Sequence, residues 1–339
     1  PRNRGGEKVG LMYRYILRRI LLSIPVLIAI LFFSFLMVRL QPYGPFESTA
    51  GGHSLPENVR LMMETRYGLH RPFQEQFLIY VGNILKGDFG PLLRTRHQDV
   101  NEVISAALPV SLQLGLMSIL TGLIIGVVAG IIAALRHRKP LDYAATFIAV
   151  IGISIPNLVI APVLIYVLGL RLDWFPIAFW GADPPFTLGI FPPLDLNFFR
   201  HAALPVITLG ISISATIARL TRSSLLEVLS EDYIRTARAK GLRERMVLVV
   251  HALKNALIPT VTVLGPLFVA LLPGMVVIEN IFGINGLARV MVDSVFQSEY
   301  FLLSGSIFVF AVILVVGNLL ADILYVFLDP RISYSGSNG

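Results

Sequence analysis

Cysteine is absent from all 339 residues, so neither a disulfide framework nor a thiolate metal site can be built. Charge is scarce as well. Asp, Glu, Lys and Arg make up 14% of the chain, where soluble domains carry about 25%. Apolar residues reach 55% and the mean hydropathy is +0.73, which places the chain in the membrane class. No Gly-Lys pair is followed by Ser or Thr, so nucleotide binding through a P-loop is excluded. His53, His70, His97, His137, His201 and His251 fall in loops or near helix ends, none at metal-ligand spacing, and no His-Glu-x-x-His helix occurs. The formal charge of +7 by itself suggests nucleic acid. The basic residues instead cluster beside the ends of apolar runs, as on a cytoplasmic membrane face, so no nucleic-acid partner is expected.

What is present is a set of long apolar runs. A helix needs about 20 mostly apolar residues to cross a bilayer, and six segments qualify: 20–39, 108–135, 144–170, 202–220, 255–278 and 301–328. Pro156 interrupts the third, and Gly265-Pro266 and Pro273-Gly274 interrupt the fifth. Such breaks survive where neighbouring helices or a cavity satisfy the freed backbone groups. A kinked fifth helix either lines a pathway or is purely structural. Residues 1–11 read as a tag or an extended start, and the first apolar run reads as a retained signal-anchor helix.

Lysine and arginine set the orientation. Arg14, Arg18 and Arg19 precede the first run, Arg136, Arg138 and Lys139 follow the second, and eight basic residues lie from Arg219 to Lys254. These regions are expected on the cytoplasmic side. The loop from Leu172 to Phe199 carries Asp173, Asp183 and Asp195 without a basic residue and belongs outside. An even number of crossings puts both termini in the cytoplasm.

The long external region, residues 41–107, predicts two amphipathic helices. Ser54-Leu55-Pro56-Glu57 is a capping-box pattern. Leu61, Met62 and Tyr67 are available for an apolar face, and Gly68 ends that helix. The second runs from about Pro72 to Lys86, with Phe73, Phe77, Tyr80, Val81, Ile84 and Leu85 at helical spacing and Gly87 as its stop. The pair is either a structural cap or a platform for an external protein.

The most informative stretch is Glu231-Asp232-Tyr233-Ile234-Arg235-Thr236-Ala237-Arg238-Ala239-Lys240-Gly241-Leu242. Ile234 and Ala237 share one helical face, and arginine and lysine take the other. Gly241 permits a sharp change of direction, because glycine takes positive φ at little cost. A second short helix then leads into His251-Ala252-Leu253-Lys254-Asn255. Two readings of these residues stand at this point: a basic loop held by lipid headgroups, or a helix–glycine–helix elbow that transmits force.

The segment resembles the cytoplasmic coupling loop of type I ABC importer permeases, in the dipeptide and oligopeptide branch. The family pattern is Glu-Ala-Ala, three residues, then glycine. Here Arg235-Thr236-Ala237 takes the triplet position and Gly241 the glycine. Arg14-Tyr15-Ile16-Leu17-Arg18-Arg19, Gly82 to Gly90, Thr221 to Leu229, Asn255-Ala256-Leu257-Ile258-Pro259, Phe282 to Leu287 and Asp329-Pro330-Arg331-Ile332 are similar to the same branch. Asn285 stands where the family often has proline. The resemblance runs from Met12 to Ile332.

It implies an all-α polytopic membrane protein with six transmembrane helices in the type I ABC importer permease fold. Residues 12–102 would hold the first transmembrane helix and the external region. Residues 103–329 would form the transport core, with the coupling loop at about 222–254, and 330–339 a tail. Tyr233, Arg235, Thr236, Ala237, Arg238, Ala239, Lys240 and Gly241 would contact an ATPase. The implied partners are a second homologous permease subunit, two ATP-binding subunits, an extracytoplasmic substrate-binding protein and the bilayer of a bacterial or archaeal inner membrane. ATP and Mg would be bound by the ATPase subunits, with no cofactor and no catalytic site in this chain.

Di- or oligopeptides are the expected cargo, with nickel, glutathione, haem or oligosaccharide as alternatives within the same architecture. A stand-alone proton-coupled carrier is the alternative from another class. Asp322, in the sixth run, is the carboxylate that raises it. Its place near the cytoplasmic end favours a helix–helix polar contact or an arginine partner. Ser304-Gly305-Ser306 suggests an intramembrane serine protease, but lacks a membrane histidine and reads better as small-residue helix packing.

Overall fold

The computed structural model describes residues 4–40, 57–66, 68, 70–92, 99–181, 191, 193 and 195–328. The capping-box residues 54–56, Tyr67, His53, His97, Asp183 and the motif at 329–332 lie outside them, as does the Asp322 side chain. The regular elements among the described residues are all helices. In chain order the helices are α1 (Arg4–Arg39), α2 (Glu57–Arg66), α3 (Phe73–Leu85), α4 (Val100–Leu135), α5 (Pro140–Ser154) and α6 (Asn157–Leu164), which continues as a π-helical segment, Ile165–Arg171. Then come α7 (Leu196–Leu229), α8 (Asp232–Ala239) and α9 (Glu244–Met246), which runs on as a π-helical segment, Val247–Ala252. The series closes with α10 (Leu253–Ala256), α11 (Ile258–Thr262), α12 (Leu264–Phe282), α13 (Leu287–Phe296) and α14 (Tyr300–Leu328).

Among the described residues five helices are long and apolar enough to cross a membrane, within Ile16–Met37, Val100–Leu135, Leu196–Leu229, Leu264–Phe282 and Tyr300–Leu320. The third expected crossing, 144–170, is not one helix. It is α5 and α6 with its π-helical extension, bent by 107°. Proline restricts the residue before it to extended backbone and cannot donate a hydrogen bond. Ile155 accordingly lies at φ −88°, ψ 122° and Pro156 at φ −60°, ψ 143°. The count of six holds if the bent pair is one span.

The fifth run also differs from expectation. Its breaks fall at Leu257 and Val263, between α10, α11 and α12, while α12 continues through Pro273 to Phe282. Gly283 ends it at φ +64°, with the Ile284 amide donating back to the Glu279 carbonyl at 2.9 Å, a Schellman closure. Gly87 ends α3 in the same way, at φ +79° with the Asp88 amide on the Asn83 carbonyl.

Packing divides the chain into two compact units that do not follow chain order: residues 13–111 with 285–316, and residues 112–284 with the two chain ends. In the first unit, α3 lays its aromatic face on α1, with Phe35 5.3 and 5.5 Å from the rings of Phe73 and Phe77. Ser34 and Tyr80 hydroxyls meet at 3.1 Å. Leu61 and Met62 of α2 are exposed rather than packed. Val100, Ile104 and Ala107 of α4 join Leu287, Phe301 and Leu302 in the core of this unit. Gly305 faces Ile104 and Phe89 so closely that a Cβ would lie 3.1 Å from each. That is helix packing by a small residue, as expected of the Ser-Gly-Ser stretch.

In the second unit α7 is central. Its most apolar window is 61% buried, against 17–33% in the other four. Gly122, Gly126 and Gly130 of α4 bring the two backbones together: a Cβ at these positions would sit 2.9, 2.6 and 2.7 Å from the carbonyls of Gly210, Ser214 and Ala218. Small residues at four-residue spacing allow such an approach without any hydrophobic drive from lipid. Thr221 and Thr260, both fully buried, share a 3.1 Å hydrogen bond that ties α11 to α7.

Candidate functional site

The residues singled out in the sequence form an elbow that stands on the end of α7. After Ser230 the chain turns, and Asp232 sits in the first turn of α8, where a negative charge favours the helix N-terminus. Ile234 and Ala237 point inward and are buried with Leu225 of α7, Ala134 of α4, and Val247, Ala252 and Ala256 of the second limb. This apolar cluster seats the elbow on the bundle.

The opposite face is exposed: Tyr233, Arg235, Thr236, Arg238, Ala239, Lys240 and Gly241 all face outward. Of the eight residues named from the sequence, Ala237 alone belongs to the inner face. Its small side chain sets how closely α8 lies on α7.

The bend is at Gly241, at φ +77° with open space where a Cβ would stand. Its amide donates to the Arg238 carbonyl at 2.9 Å and closes the helix. Two side-chain links then brace the limbs. Arg238 donates to both oxygens of Glu244, Nη2 to Oε1 at 2.7 Å and Nε to Oε2 at 3.2 Å. Asn255 donates to the Tyr233 hydroxyl at 2.9 Å. Arg238 holds the Glu244 carboxyl below the usual carboxylate range, and Glu244 raises the guanidinium in return. Arg235 pairs with its neighbour Asp232, at 3.2 Å and in solvent.

Arg243, Arg245, Met246, Val249 and Val250 on the second limb are also exposed. The outer surface is thus a basic rim beside an apolar patch. Among the described residues no group of three or more His, Asp or Glu is placed to hold a metal ion.

One feature escaped the sequence reading. Asp142 at the start of α5 is buried and pairs with Arg222 of α7 through two hydrogen bonds, 2.6 and 2.8 Å long. No spacing rule links positions so far apart in the chain.

The profile of binding-protein-dependent transport system inner membrane components matches residues 126–334, and that of their N-terminal region matches residues 12–114. The oligopeptide transport system permease AppB of Bacillus subtilis is 39% identical over 326 residues, spanning 95% of this chain and all of the relative. The dipeptide permease DppB of the same organism is 39% identical over 321 residues, 95% of this chain and 98% of the relative. The oligopeptide permease OppB of Haemophilus influenzae is 35% identical over 323 residues, 95% of this chain and all of the relative. Among solved structures, the inward-facing methionine ABC transporter MetNI shares the fold, with a TM-score of 0.53 at 14% identity over 67% of this chain and 97% of that one. With the family profile covering most of its length and relatives matching it end to end, the chain belongs to the binding-protein-dependent transport system inner-membrane components, the permeases of ABC importers.

Proposed function

We propose that this permease carries di- or oligopeptides into the cell, driven by ATP hydrolysed on separate subunits. The observation that carries the reading is the elbow at Gly241, a braced, basic, outward-facing surface on the end of the central helix α7. The near-complete coverage of relatives named as peptide permeases supports the cargo.

The elbow seats on an ATPase subunit through Tyr233, Arg235, Thr236, Arg238, Ala239, Lys240 and Gly241, while Ala237 fixes its depth. The chain pairs with a second related permease, two ATP-binding subunits that hold ATP and Mg, and an external binding protein. It has no ATPase site of its own, since no P-loop sequence occurs in it. Closure of the ATPases moves the elbow, and the bundle exchanges an inward-open for an outward-open state. The elbow and both termini lie in the cytoplasm, a reading that the lysine and arginine of the flanking loops support. The external region, with α3 fastened to α1, lies on the outer face.

Mild-detergent purification from the native membrane with mass spectrometry tests the assembly. Recovery of a P-loop ATPase and a second permease is expected, and a co-purifying binding protein identifies the cargo. A chain that runs alone and transports in ATP-free vesicles overturns the reading in favour of a proton-coupled carrier. ATP-dependent uptake of nickel, glutathione, haem or oligosaccharide but not of peptides keeps the mechanism and changes the cargo.

A further inference from the structure

The Asp142 side chain is 3% exposed, and four nitrogen atoms from three residues converge on its carboxylate. Arg222 donates from Nε to Oδ1 at 2.6 Å and from Nη2 to Oδ2 at 2.8 Å. The Arg138 backbone amide donates to Oδ2 at 2.9 Å, and His137 Nδ1 lies 3.2 Å from the same oxygen. Arg138 holds φ +60°, a backbone region that residues other than glycine seldom occupy. The turn between α4 and α5 is thereby folded around one carboxylate. Two-pronged arginine–carboxylate pairs are the strongest and most directional of the charged hydrogen bonds.

The position of this pair gives it a mechanical meaning. Arg222 lies on the length of α7 that runs straight into the elbow, and the next buried residue towards it, Leu225, belongs to the apolar cluster under α8. Ala134, just before the α4–α5 turn, belongs to that cluster too. Gly122, Gly126 and Gly130 hold this length of α4 against α7. Along the rest of its length α5 packs on α7 through small and apolar side chains. Near its far end Gly152 lies against Ile211. Between there and Asp142 the interface opens into a cavity of about 70 Å³ lined by Ala129, Ala133, Ala145, Ala149, Ala215 and Ala218. The other side of α5, with Tyr143, Phe147 and Ile148, is exposed.

We infer that the Asp142–Arg222 pair is the joint that passes displacement of the elbow to α5, and through α5 to the bend at Pro156. Asp142 is a positioning residue for transport, acting through Arg222. The inference rests on the coupling role proposed for the elbow. A broken joint leaves the ATPase contact whole and frees the first turn of α5 from α7, so hydrolysis continues with less substrate moved per ATP.

The test is tripeptide uptake per ATP hydrolysed by the assembled complex with its binding protein in proteoliposomes. Asp142→Asn is expected to lower uptake at least fivefold more than it lowers hydrolysis. Arg222→Lys keeps the charge but loses the two-pronged geometry, and is expected to lower the ratio two- to fivefold; it carries the test if Asp142→Asn assembles poorly. A wild-type ratio in an assembled variant, including a proportional loss of both activities, overturns the inference. Gly241→Pro run in parallel separates the two layers. An uncoupled Gly241→Pro beside a fully coupled Asp142→Asn removes the joint alone, whereas a fully coupled Gly241→Pro removes the coupling role and the joint with it.

Discussion

Arg238 and Glu244 face each other across Gly241, and their two hydrogen bonds, 2.7 and 3.2 Å long, brace the limbs of the elbow at its bend. The pair is partly exposed, at 42% and 57%, so its contribution is that of a solvent-screened ion pair, about 0.2–1 kcal/mol. What it supplies is angle more than stability. Because Glu244 titrates below its ordinary value in the folded chain, its contribution is present above the usual glutamate range and is lost as pH falls through the lowered value. Glu244→Gln is expected to raise amide hydrogen exchange in residues 243–252 by roughly two- to fivefold at neutral pH. In the unaltered chain the protection of these amides, taken relative to their intrinsic exchange rate, is expected to fall by the same factor on acidification below the usual glutamate range. Equal exchange in the variant and the parent at neutral pH would show that the pair does not brace the elbow.

Gly241 presents a different test, because only its backbone is constrained. A Cβ there meets nothing within 4 Å, so Gly241→Ala carries only the cost of φ +77°, about 1–2 kcal/mol. Asn, which tolerates that region better, should cost less. Proline cannot adopt positive φ at all. Gly241→Pro is expected to leave the chain inserted and to abolish most peptide uptake while ATP hydrolysis persists. Membrane fractionation beside an uptake assay decides, and unchanged uptake sinks the coupling assignment.

The approach of α4 to α7 depends on the absence of side chains. At Gly126 a Cβ would lie 2.6 Å from the Ser214 carbonyl, on backbone that cannot step aside. Gly126→Ala is expected to destabilise the purified chain by about 1–3 kcal/mol, seen as a lower unfolding temperature in detergent. Gly82 is the control. It lies inside α3 with nothing near its Cβ position, so Gly82→Ala should be neutral or stabilising by up to about 1 kcal/mol. Equal effects at the two sites would contradict the close packing.

Thr221 and Thr260 exchange one hydrogen bond in a site sealed from solvent. Valine in place of either strands the other hydroxyl, at about 1–3 kcal/mol, whereas valine in both removes the polar pair altogether. The double variant is therefore expected to be more stable than either single one, as measured by a double-mutant cycle on unfolding temperature. Additive losses would mean that the hydroxyls do not interact.

Much of this arrangement was legible in the residues. The apolar runs announce the long helices, and Gly87 and Gly241 mark turns that only a residue without a side chain makes cheaply. Ile234 and Ala237 share a face because three residues make nearly one helical turn. The prolines were harder to read. Pro156 and Pro273 both interrupt apolar runs, yet the chain breaks at the first and continues through the second. Local chemistry is similar at both, and the surroundings differ. Beside the break, Ser212 of α7 donates to the Asn157 side chain at 2.7 Å, whereas α12 is pressed close at Gly274, where a Cβ would lie 3.2 Å from Asn157 and from Leu209.

The membrane class, the glycine turn at 241 and the basic and acidic loops could be read from the residues, because each follows from composition, glycine placement or a period of one turn. Only the tertiary structure decided that Asp142 meets Arg222, which three glycines of α4 lie on α7, and that residues 285–316 pack with the N-terminal region. The physical reason is common to all three. Such contacts join positions far apart in the chain, where no local backbone preference acts, and in lipid they are chosen by close packing and hydrogen bonding between helices rather than by any pattern of apolar residues.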